Sequence, residues 1–134
     1  PKIKMQKIKV NSKKLVEEAE SKIKILKVKE AIKLLYNDNY LFIDVRDYRE
    51  LVKEGKIPGS ISCPRGMLEF WVDPESPYHK SKLDLSKTFI LYCASAWRSA
   101  LAAKTLLEMG LDNVYHIEGG FNNWKYCNGP IEID

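Results

Sequence analysis

The sequence predicts an α/β domain built on an open, mainly parallel β-sheet. Residues 40–45 and 88–92 are continuous apolar runs with the length and β-branching of strands buried on both faces. Helix-patterned segments separate such runs, and strands alternating with helices are typical of a parallel sheet. A chain of 134 residues provides one core, so we expect one functional site.

The N-terminal third is predicted to form two amphipathic helices. Residues 1–10 mix apolar residues with lysines without a sustained period, which fits an edge strand or a loose arm. Ser12 is a suitable N-cap, and the apolar positions keep to one helical face as far as Ile23. A second helical period covers 28–35, and 23–26 form a short strand between the helices.

A short third helix is predicted directly after the strand at 40–45. Asp47 and Glu50 form a variant of the capping box that starts it. Its apolar residues, expected to face inward, are Tyr48, Leu51 and Val52. The remaining elements follow in the order strand, helix, strand, helix, strand and helix, at residues 60–63, 67–71, 88–92, 98–109, 114–117 and from 121 onward.

Composition and charge exclude several classes of protein. Hydrophobic residues at 45% and charged residues at 30% indicate a globular chain, not a disordered tail or a collagen-like repeat. No apolar run approaches the roughly 20 residues that span a bilayer, and the start lacks the apolar core of a secretion signal. We therefore expect a cytoplasmic protein without a membrane partner.

The net charge of +4 is unevenly distributed, with +7 in residues 1–33 and −3 in residues 34–134. These lysines lie opposite the apolar helical positions, so a solvated helix face explains them better than an anionic partner. Nucleic acid binding is accordingly not expected.

Cysteine and histidine spacing argues against disulfides and metals. The chain has three cysteines, Cys63, Cys93 and Cys127. An odd number of cysteines without paired spacing favours a reducing compartment. Together with His79 and His116 they show no zinc spacing, so we expect neither a metal nor a cofactor. Cys127 is a weaker candidate for a second reactive thiol, and a structural or incidental role is favoured.

Cys93 is the candidate nucleophile. It follows a buried strand and precedes a helix N-terminus, and open parallel sheets bind ligands beyond the carboxyl ends of their strands. The N–H groups of 94–98, the helix dipole and Arg98 favour an anion there and an easily ionised thiol. The alternative is a small buried residue that ends a core strand. Arg98 favours the functional interpretation, because a cation in the first helical turn is unfavourable unless it faces an anion.

Five segments together resemble the rhodanese sulfurtransferase family. One is the loop from Cys93 to Arg98, in which four residues separate the cysteine from the arginine. The others are FIDVR at 42–46, GKIPGS at 55–60, PRGMLEFW at 64–71 and VYHIEGGFNNW at 114–124. The resemblance covers about residue 23 to residue 130, which divides the chain into a basic N-terminal extension, 1–22, and a rhodanese-like domain, 23–134.

The resemblance implies a single-domain rhodanese with a five-stranded, largely parallel sheet and helices on both faces. It implies that Cys93 takes a sulfane sulfur from a donor such as thiosulfate and holds it as a persulfide. A thiophilic acceptor, cyanide or a cellular thiol, then removes it. The expected partners are therefore a small anionic sulfur donor and a thiophilic acceptor, with a protein as a further candidate acceptor, while the oligomeric state is left open.

The resemblance also implies roles for residues near the nucleophile. The substrate-binding residues are expected to be Ala94, Ser95, Ala96, Trp97 and Arg98. Arg98 is expected to hold the anionic donor or leaving group, Ser95 to add a donor, and Trp97 to form a pocket wall or rim. Asp44 and Arg46 match the family's Asp-x-Arg, and we expect them to support the site structurally.

Two residues depart from the family pattern. Lys56 stands where histidine is frequent, and Ala96 stands where glycine is common in the loop. Both departures bear on loop geometry and leave the nucleophile in place. If Ala96 has a positive φ, glycine at this position is expected to stabilise the protein. Arg65 is either close to the pocket mouth or an ordinary surface arginine.

Two other functions stay open. Related phosphatases resemble this chain but have five residues between cysteine and arginine, which makes a wider cradle for phosphate, so the four found here favour sulfur transfer. A non-catalytic rhodanese-like binding module is the other alternative. Such modules often lack the cysteine, whereas Cys93 and Arg98 are both present.

Overall fold

Five parallel strands form one sheet in the computed structural model, which describes residues 3–133. The strands are β1 (Lys24–Leu26), β2 (Tyr40–Asp44), β3 (Ile61–Ser62), β4 (Thr88–Tyr92) and β5 (Val114–Ile117). Their order across the sheet is β1-β5-β4-β2-β3. The predicted fold class is confirmed. Because β4 lies at the centre, the residue after it, Cys93, stands at the middle of the sheet's carboxyl edge.

Helices cover both faces of this sheet. They are α1 (Ser12–Lys22), α2 (Val28–Lys33), α3 (Tyr48–Glu54), α4 (Leu68–Val72), α5 (Trp97–Glu108) and α6 (Gly120–Tyr126), and a 3₁₀ turn at Arg65–Met67 precedes α4. Successive residues of β4 belong to two separate cores. Phe89 and Leu91 pack with residues of α4 and α5, whereas Ile90 and Tyr92 pack with residues of α2 and α6. Burial on both faces explains why β4 is continuously apolar.

Two details of the helices differ from the sequence-based prediction. The N-cap of α1 is Asn11 and not Ser12, because the Asn11 side chain accepts a hydrogen bond of 2.8 Å from the N–H of Lys14. In α3 the capping box is present, but only Leu51 faces inward. Tyr48 and Val52 are exposed because these residues, four apart, share a helix face that points to solvent.

The N-terminal extension contributes a helix that packs on the domain. Val16 and Ala19 of α1 are buried against Ala100 of α5. Residues 3–8 form no helix or strand and are exposed, whereas residues 1–2 of the predicted arm lie outside the described residues. The boundary after residue 22 stays a prediction. Between residues 3 and 133, no helix combines the length and the apolar character that crossing a bilayer requires.

Candidate active site

The Cys93 sulfur lies in the loop that connects β4 to α5. The residue is 1% exposed. The N–H of Ser99, in the first turn of α5, donates to Sγ over 3.3 Å, and the thiol lies 3.6 Å from the Ser99 hydroxyl oxygen. The chain therefore folds so that the helix N-terminus faces the sulfur.

The first turn of α6 holds the nucleophile loop in place. The N–H of Phe121 donates to the carbonyl of Cys93 over 2.7 Å, and that of Asn122 donates to the carbonyl of Ala94 over 3.0 Å. Gly120 makes this approach feasible, because a Cβ there would lie 2.6 Å from the Cys93 carbonyl oxygen. Its φ of +63° also favours glycine. The second glycine of the GGFNNW segment is thus required by loop packing.

Ala96 adopts the left-handed conformation, with φ +80° and ψ −7°. This agrees with the positive φ considered for the position where glycine is common, and it costs an alanine about 1–2 kcal/mol. The conformation turns the chain into α5, whose first bonds include the N–H of Ala100 to the Ala96 carbonyl at 3.0 Å. The N–H groups of residues 94–96 donate to no other part of the described chain.

Arg98 forms a bidentate ion pair with Glu50 that the sequence analysis did not predict. Its two terminal nitrogens donate to the two carboxylate oxygens over 2.7 and 3.0 Å. The Arg98 hydrogen bonds hold the pKa of Glu50 below its usual range. The sequence predicts only a capping role for Glu50, and Glu50 does serve that role by accepting from the N–H of Asp47 over 3.0 Å. The arginine that is predicted to bind an anion is therefore paired, in this structure, with a carboxylate of α3.

Asp44 and Arg46 form a buried ion pair beneath the loop. Arg46 Nη2 donates to Asp44 Oδ2 over 2.7 Å and to the Gly55 carbonyl over 2.8 Å. Its guanidinium also lies 4.3 Å from the centre of the Phe121 ring. The pair thus connects β2 with the end of α3 and with α6. This geometry suits a supporting role, and a charge buried without its partner is strongly destabilising.

A cleft of about 620 Å³ lies beside the loop, between α3 and α6, with Ala94 among its lining residues. Trp97 is 49% exposed and Ser95 is also exposed, but neither residue lines this cleft, so their predicted roles stay predictions. Another depression of about 250 Å³ lies at the amino ends of β4 and β5 and is lined by residues such as Phe89 and Val114. That depression is at the opposite end of the strands from Cys93.

Other residues singled out from the sequence lie in structural contacts. Arg65 donates to Glu69 over 2.8 Å and to Thr105 over 3.0 Å, so it joins the segment before α4 to α5. Lys56 pairs with Glu132 at 3.4 Å. These contacts are the ones expected of ordinary structural side chains.

The other cysteines differ from Cys93 in their surroundings. Cys63 is buried, and this burial raises the pKa of its thiol to about 12. Cys127 is exposed and follows α6. In the described part of the chain, no three His, Cys, Asp or Glu side chains are grouped so that they could hold a metal ion.

His116 and Ser99 are the site residues that sequence reasoning missed. The Ser99 hydroxyl oxygen lies 2.9 Å from Nδ1 of His116, and both residues are fully buried. Burial lowers the pKa of His116 to about 4. The sequence offers only an indirect signal, the position of His116 near the end of the predicted strand 114–117, because it does not reveal that this strand lies beside β4.

The family model and the curated relatives that match this chain agree on one family. The sequence model described as the rhodanese-like domain matches residues 27–127. Mouse (Mus musculus) thiosulfate sulfurtransferase/rhodanese-like domain-containing protein 3 is 31% identical over 96 residues, covering 68% of this chain and 61% of that protein. Thiosulfate sulfurtransferase GlpE of Shewanella oneidensis is 25% identical over 108 residues, covering 81% of this chain and 98% of that protein.

A solved structure from Rhodopseudomonas palustris is 50% identical and superposes with a TM-score of 0.91, covering 96% of this chain and 99% of the other. It is described as a protein of unknown function and possible tyrosine phosphatase. The first curated relatives also include a tRNA uridine(34) hydroxylase. The chain spans 26% to 61% of the length of the first four.

Proposed function

The chain belongs to the rhodanese-like domain family, and from this premise we propose that it is a sulfurtransferase that works through a persulfide on Cys93. The donor is a small anionic sulfane-sulfur compound such as thiosulfate, and the acceptor is thiophilic, as cyanide or a cellular thiol is. The observation that carries the proposal is the Cys93 sulfur at the carboxyl end of the central strand, with the Ser99 N–H directed at it over 3.3 Å.

The first half-reaction loads the sulfur. The Cys93 thiolate attacks the outer sulfur of thiosulfate, a bond forms between the two sulfurs, and the sulfur–sulfur bond of thiosulfate breaks. Sulfite leaves with the electron pair of that bond. In the second half-reaction cyanide attacks the terminal sulfur of the persulfide, the cysteine keeps the electron pair as a thiolate, and thiocyanate leaves. Two half-reactions on one nucleophile predict ping-pong kinetics.

The loop backbone supports the charge that the persulfide carries. The terminal sulfur of a persulfide is anionic. The N–H groups of residues 94–96, which donate to no residue between 3 and 133, supply positive ends of dipoles beside Cys93 together with the start of α5. These dipoles are fixed by the fold before the reaction begins, because Phe121 and Asn122 hold the carbonyls of Cys93 and Ala94. Substrate contacts are thus proposed for the whole loop.

Arg98 attracts the anionic donor, with Glu50 as its competitor. The Arg98 side chain is 41% exposed and so is open to a donor that approaches from solvent. A dianion such as thiosulfate has to share Arg98 with the Glu50 carboxylate or displace it. Asp44 and Arg46 are proposed to keep α3 and α6 in place around this site.

A phosphatase is the second candidate, because the Rhodopseudomonas palustris structure is described as a possible tyrosine phosphatase. The loop favours sulfur transfer, since only four residues separate Cys93 from Arg98. A non-catalytic binding module is less well supported, since both residues are present. The free thiols of the described chain favour a reducing compartment such as the cytoplasm, and a protein thiol is a suitable acceptor there.

Two assays on the purified protein test the proposal. We expect thiocyanate formation from thiosulfate and cyanide with ping-pong kinetics, and its loss in Cys93→Ser with the fold retained. Cys127→Ala serves as the matched control and should keep the activity. Hydrolysis of p-nitrophenyl phosphate that depends on Cys93, without thiocyanate formation, would instead establish the phosphatase. Absence of both activities in the folded protein would support the binding module.

A further inference from the structure

A buried chain of hydrogen bonds joins the nucleophile to a histidine. The Ser99 hydroxyl oxygen lies 3.6 Å from the Cys93 sulfur on one side and 2.9 Å from His116 Nδ1 on the other. His116 lies on β5 opposite Leu91 of β4, which places it next to the strand that ends in Cys93. Sulfur transfer as proposed above assigns no role to the His116 ring or the Ser99 hydroxyl.

Few groups face the His116 ring. Among residues 3–133, Glu20 of α1 supplies the one carboxylate oxygen within 4.0 Å of a ring nitrogen, at 3.9 Å from Nε2. Helix α5 supplies Ser99, and the neighbouring strands supply Ile25 and Leu91 at the same register. Burial alone lowers the pKa of His116 to about 4, so the ring is neutral at pH 7 and has one N–H.

The surroundings determine which nitrogen holds that proton. Nε2 is buried and forms no hydrogen bond with any described residue, and Glu20 at 3.9 Å is too distant to accept one. A proton on Nε2 would therefore be a buried donor without an acceptor, which costs more than an unused lone pair. The form with the proton on Nδ1 lets His116 donate to Ser99.

With the His116 proton on Nδ1, the Ser99 hydroxyl has hydrogen-bond partners whether Cys93 is a thiol or a thiolate. While Cys93 is a thiol, the Ser99 oxygen accepts from it and from His116, and its own proton points to the Ala96 carbonyl at 3.3 Å. When Cys93 loses its proton, the hydroxyl rotates and donates to the sulfur. In the other form of His116, the hydroxyl must donate to Nδ1 and cannot serve the thiolate.

We propose that His116 is a positioning residue that acts through Ser99, directing and polarising the Ser99 hydroxyl so that it donates to the Cys93 thiolate. A hydroxyl that accepts a hydrogen bond is a stronger donor in turn, so the chain is cooperative. The inference rests on the proposed function in one respect, namely that Cys93 is the nucleophile.

The test is the rate of Cys93 alkylation by iodoacetamide as a function of pH, with the modified residue identified by peptide mapping. The two substitutions to compare are His116→Leu and His116→Asn. The leucine and asparagine side chains have similar shapes, but only asparagine can donate a hydrogen bond to Ser99. We expect the midpoint of the profile to rise by about one pH unit in Ser99→Ala and about half a unit in His116→Leu. His116→Asn should stay close to the parent, as should His79→Leu, the control at the other histidine.

Coupling through Ser99 gives a second criterion. In a Ser99→Ala background, adding His116→Leu should shift the profile no further, because the intermediary is already absent. A His116→Leu profile that overlays the parent, or a shift that persists in full without Ser99, would overturn the proposal. Thermal melts identify variants that do not fold. If a variant does not fold, nitrogen NMR of the His116 ring in the parent protein decides between the two forms. A proton found on Nε2 would overturn the proposal.

Alkylation requires no sulfur donor, so the two proposals fail separately. A protein that shows the expected profiles but accepts no sulfur retains the role of His116 and loses the proposed function. If the protein transfers sulfur and the His116→Leu profile matches the parent profile, the proposed function is retained and the role of His116 is lost.

Discussion

Replacing Glu50 by glutamine should improve the use of thiosulfate. The Glu50 carboxylate binds both terminal nitrogens of Arg98 over 2.7 and 3.0 Å, and it therefore competes with an anionic donor for that cation. Glutamine keeps an oxygen that can accept from the Asp47 N–H, so the capping box and α3 should survive. The substitution therefore removes the negative charge that competes for Arg98 and keeps the shape and the capping oxygen of the side chain.

The expected size of the effect follows from the exposure of the pair. The side chains of Arg98 and Glu50 are 41% and 33% exposed, so solvent weakens their attraction. Ion pairs of this kind contribute about 0.2–1 kcal/mol. If the donor must overcome about 0.5–1 kcal/mol of this attraction, Glu50→Gln should lower KM for thiosulfate about two- to fivefold, because 1.4 kcal/mol corresponds to tenfold.

Steady-state kinetics with thiosulfate and cyanide measure this change. Glu54→Gln is the matched control, because Glu54 lies one turn further along α3 and pairs with Lys125 at 2.9 Å instead of Arg98. The difference between Glu50→Gln and the parent should shrink as ionic strength rises. An unchanged or higher KM in folded Glu50→Gln would refute the idea that Glu50 and the donor compete.

Three further predictions concern the loop and the buried histidine. Ala96→Gly should stabilise the protein by up to about 1 kcal/mol in urea unfolding, since relief of the left-handed strain exceeds the entropy that glycine adds to the unfolded chain, and a lower midpoint would contradict this. Arg98→Ala should reduce kcat/KM for thiosulfate roughly tenfold or more while a neutral sulfane donor is much less affected, and equal losses for both donors would argue against anion binding. His116 titrates near pH 6.5 when unfolded and near pH 4 when folded, so only the unfolded chain gains its proton between these values. The free energy of unfolding should therefore fall by up to about 3 kcal/mol from pH 6.5 to pH 4, and the part of this slope above pH 4.5 should be absent in His116→Asn.

The fold was predictable because the strands are buried on both faces. The apolar runs at 40–45 and 88–92 have no other good explanation in a small domain, and the helices between them show a clear period. The N-cap of α1 was misassigned because Asn11 and Ser12 are both good caps, and only the contact with Lys14 distinguishes them. The inward orientation predicted for Tyr48 and Val52 was wrong for a different reason. An apolar pattern identifies a helix face, but it does not show whether another element covers that face.

The candidate site was predictable where its residues form one short segment or match a family motif, as Asp44 and Arg46 do. The loop from Cys93 to Arg98 could be identified, and Ala96 has the positive φ that was considered for it. The Arg98 pair with Glu50 joins residues 48 positions apart, and the Ser99 contact with His116 joins residues 17 apart. Such contacts depend on how α3 and β5 pack around the loop, and a single sequence has no direct signal for them.

Intact mass after exposure to thiosulfate tests the persulfide most directly. The protein should gain the mass of one sulfur, peptide mapping should place it on Cys93, and cyanide should remove it. Cys93→Ser should acquire no adduct while keeping the fold, and Cys127→Ala should acquire it as the parent does. An adduct that persists in Cys93→Ser, or one that disappears in folded Cys127→Ala, would contradict the assignment of Cys93 as the residue that carries the transferred sulfur.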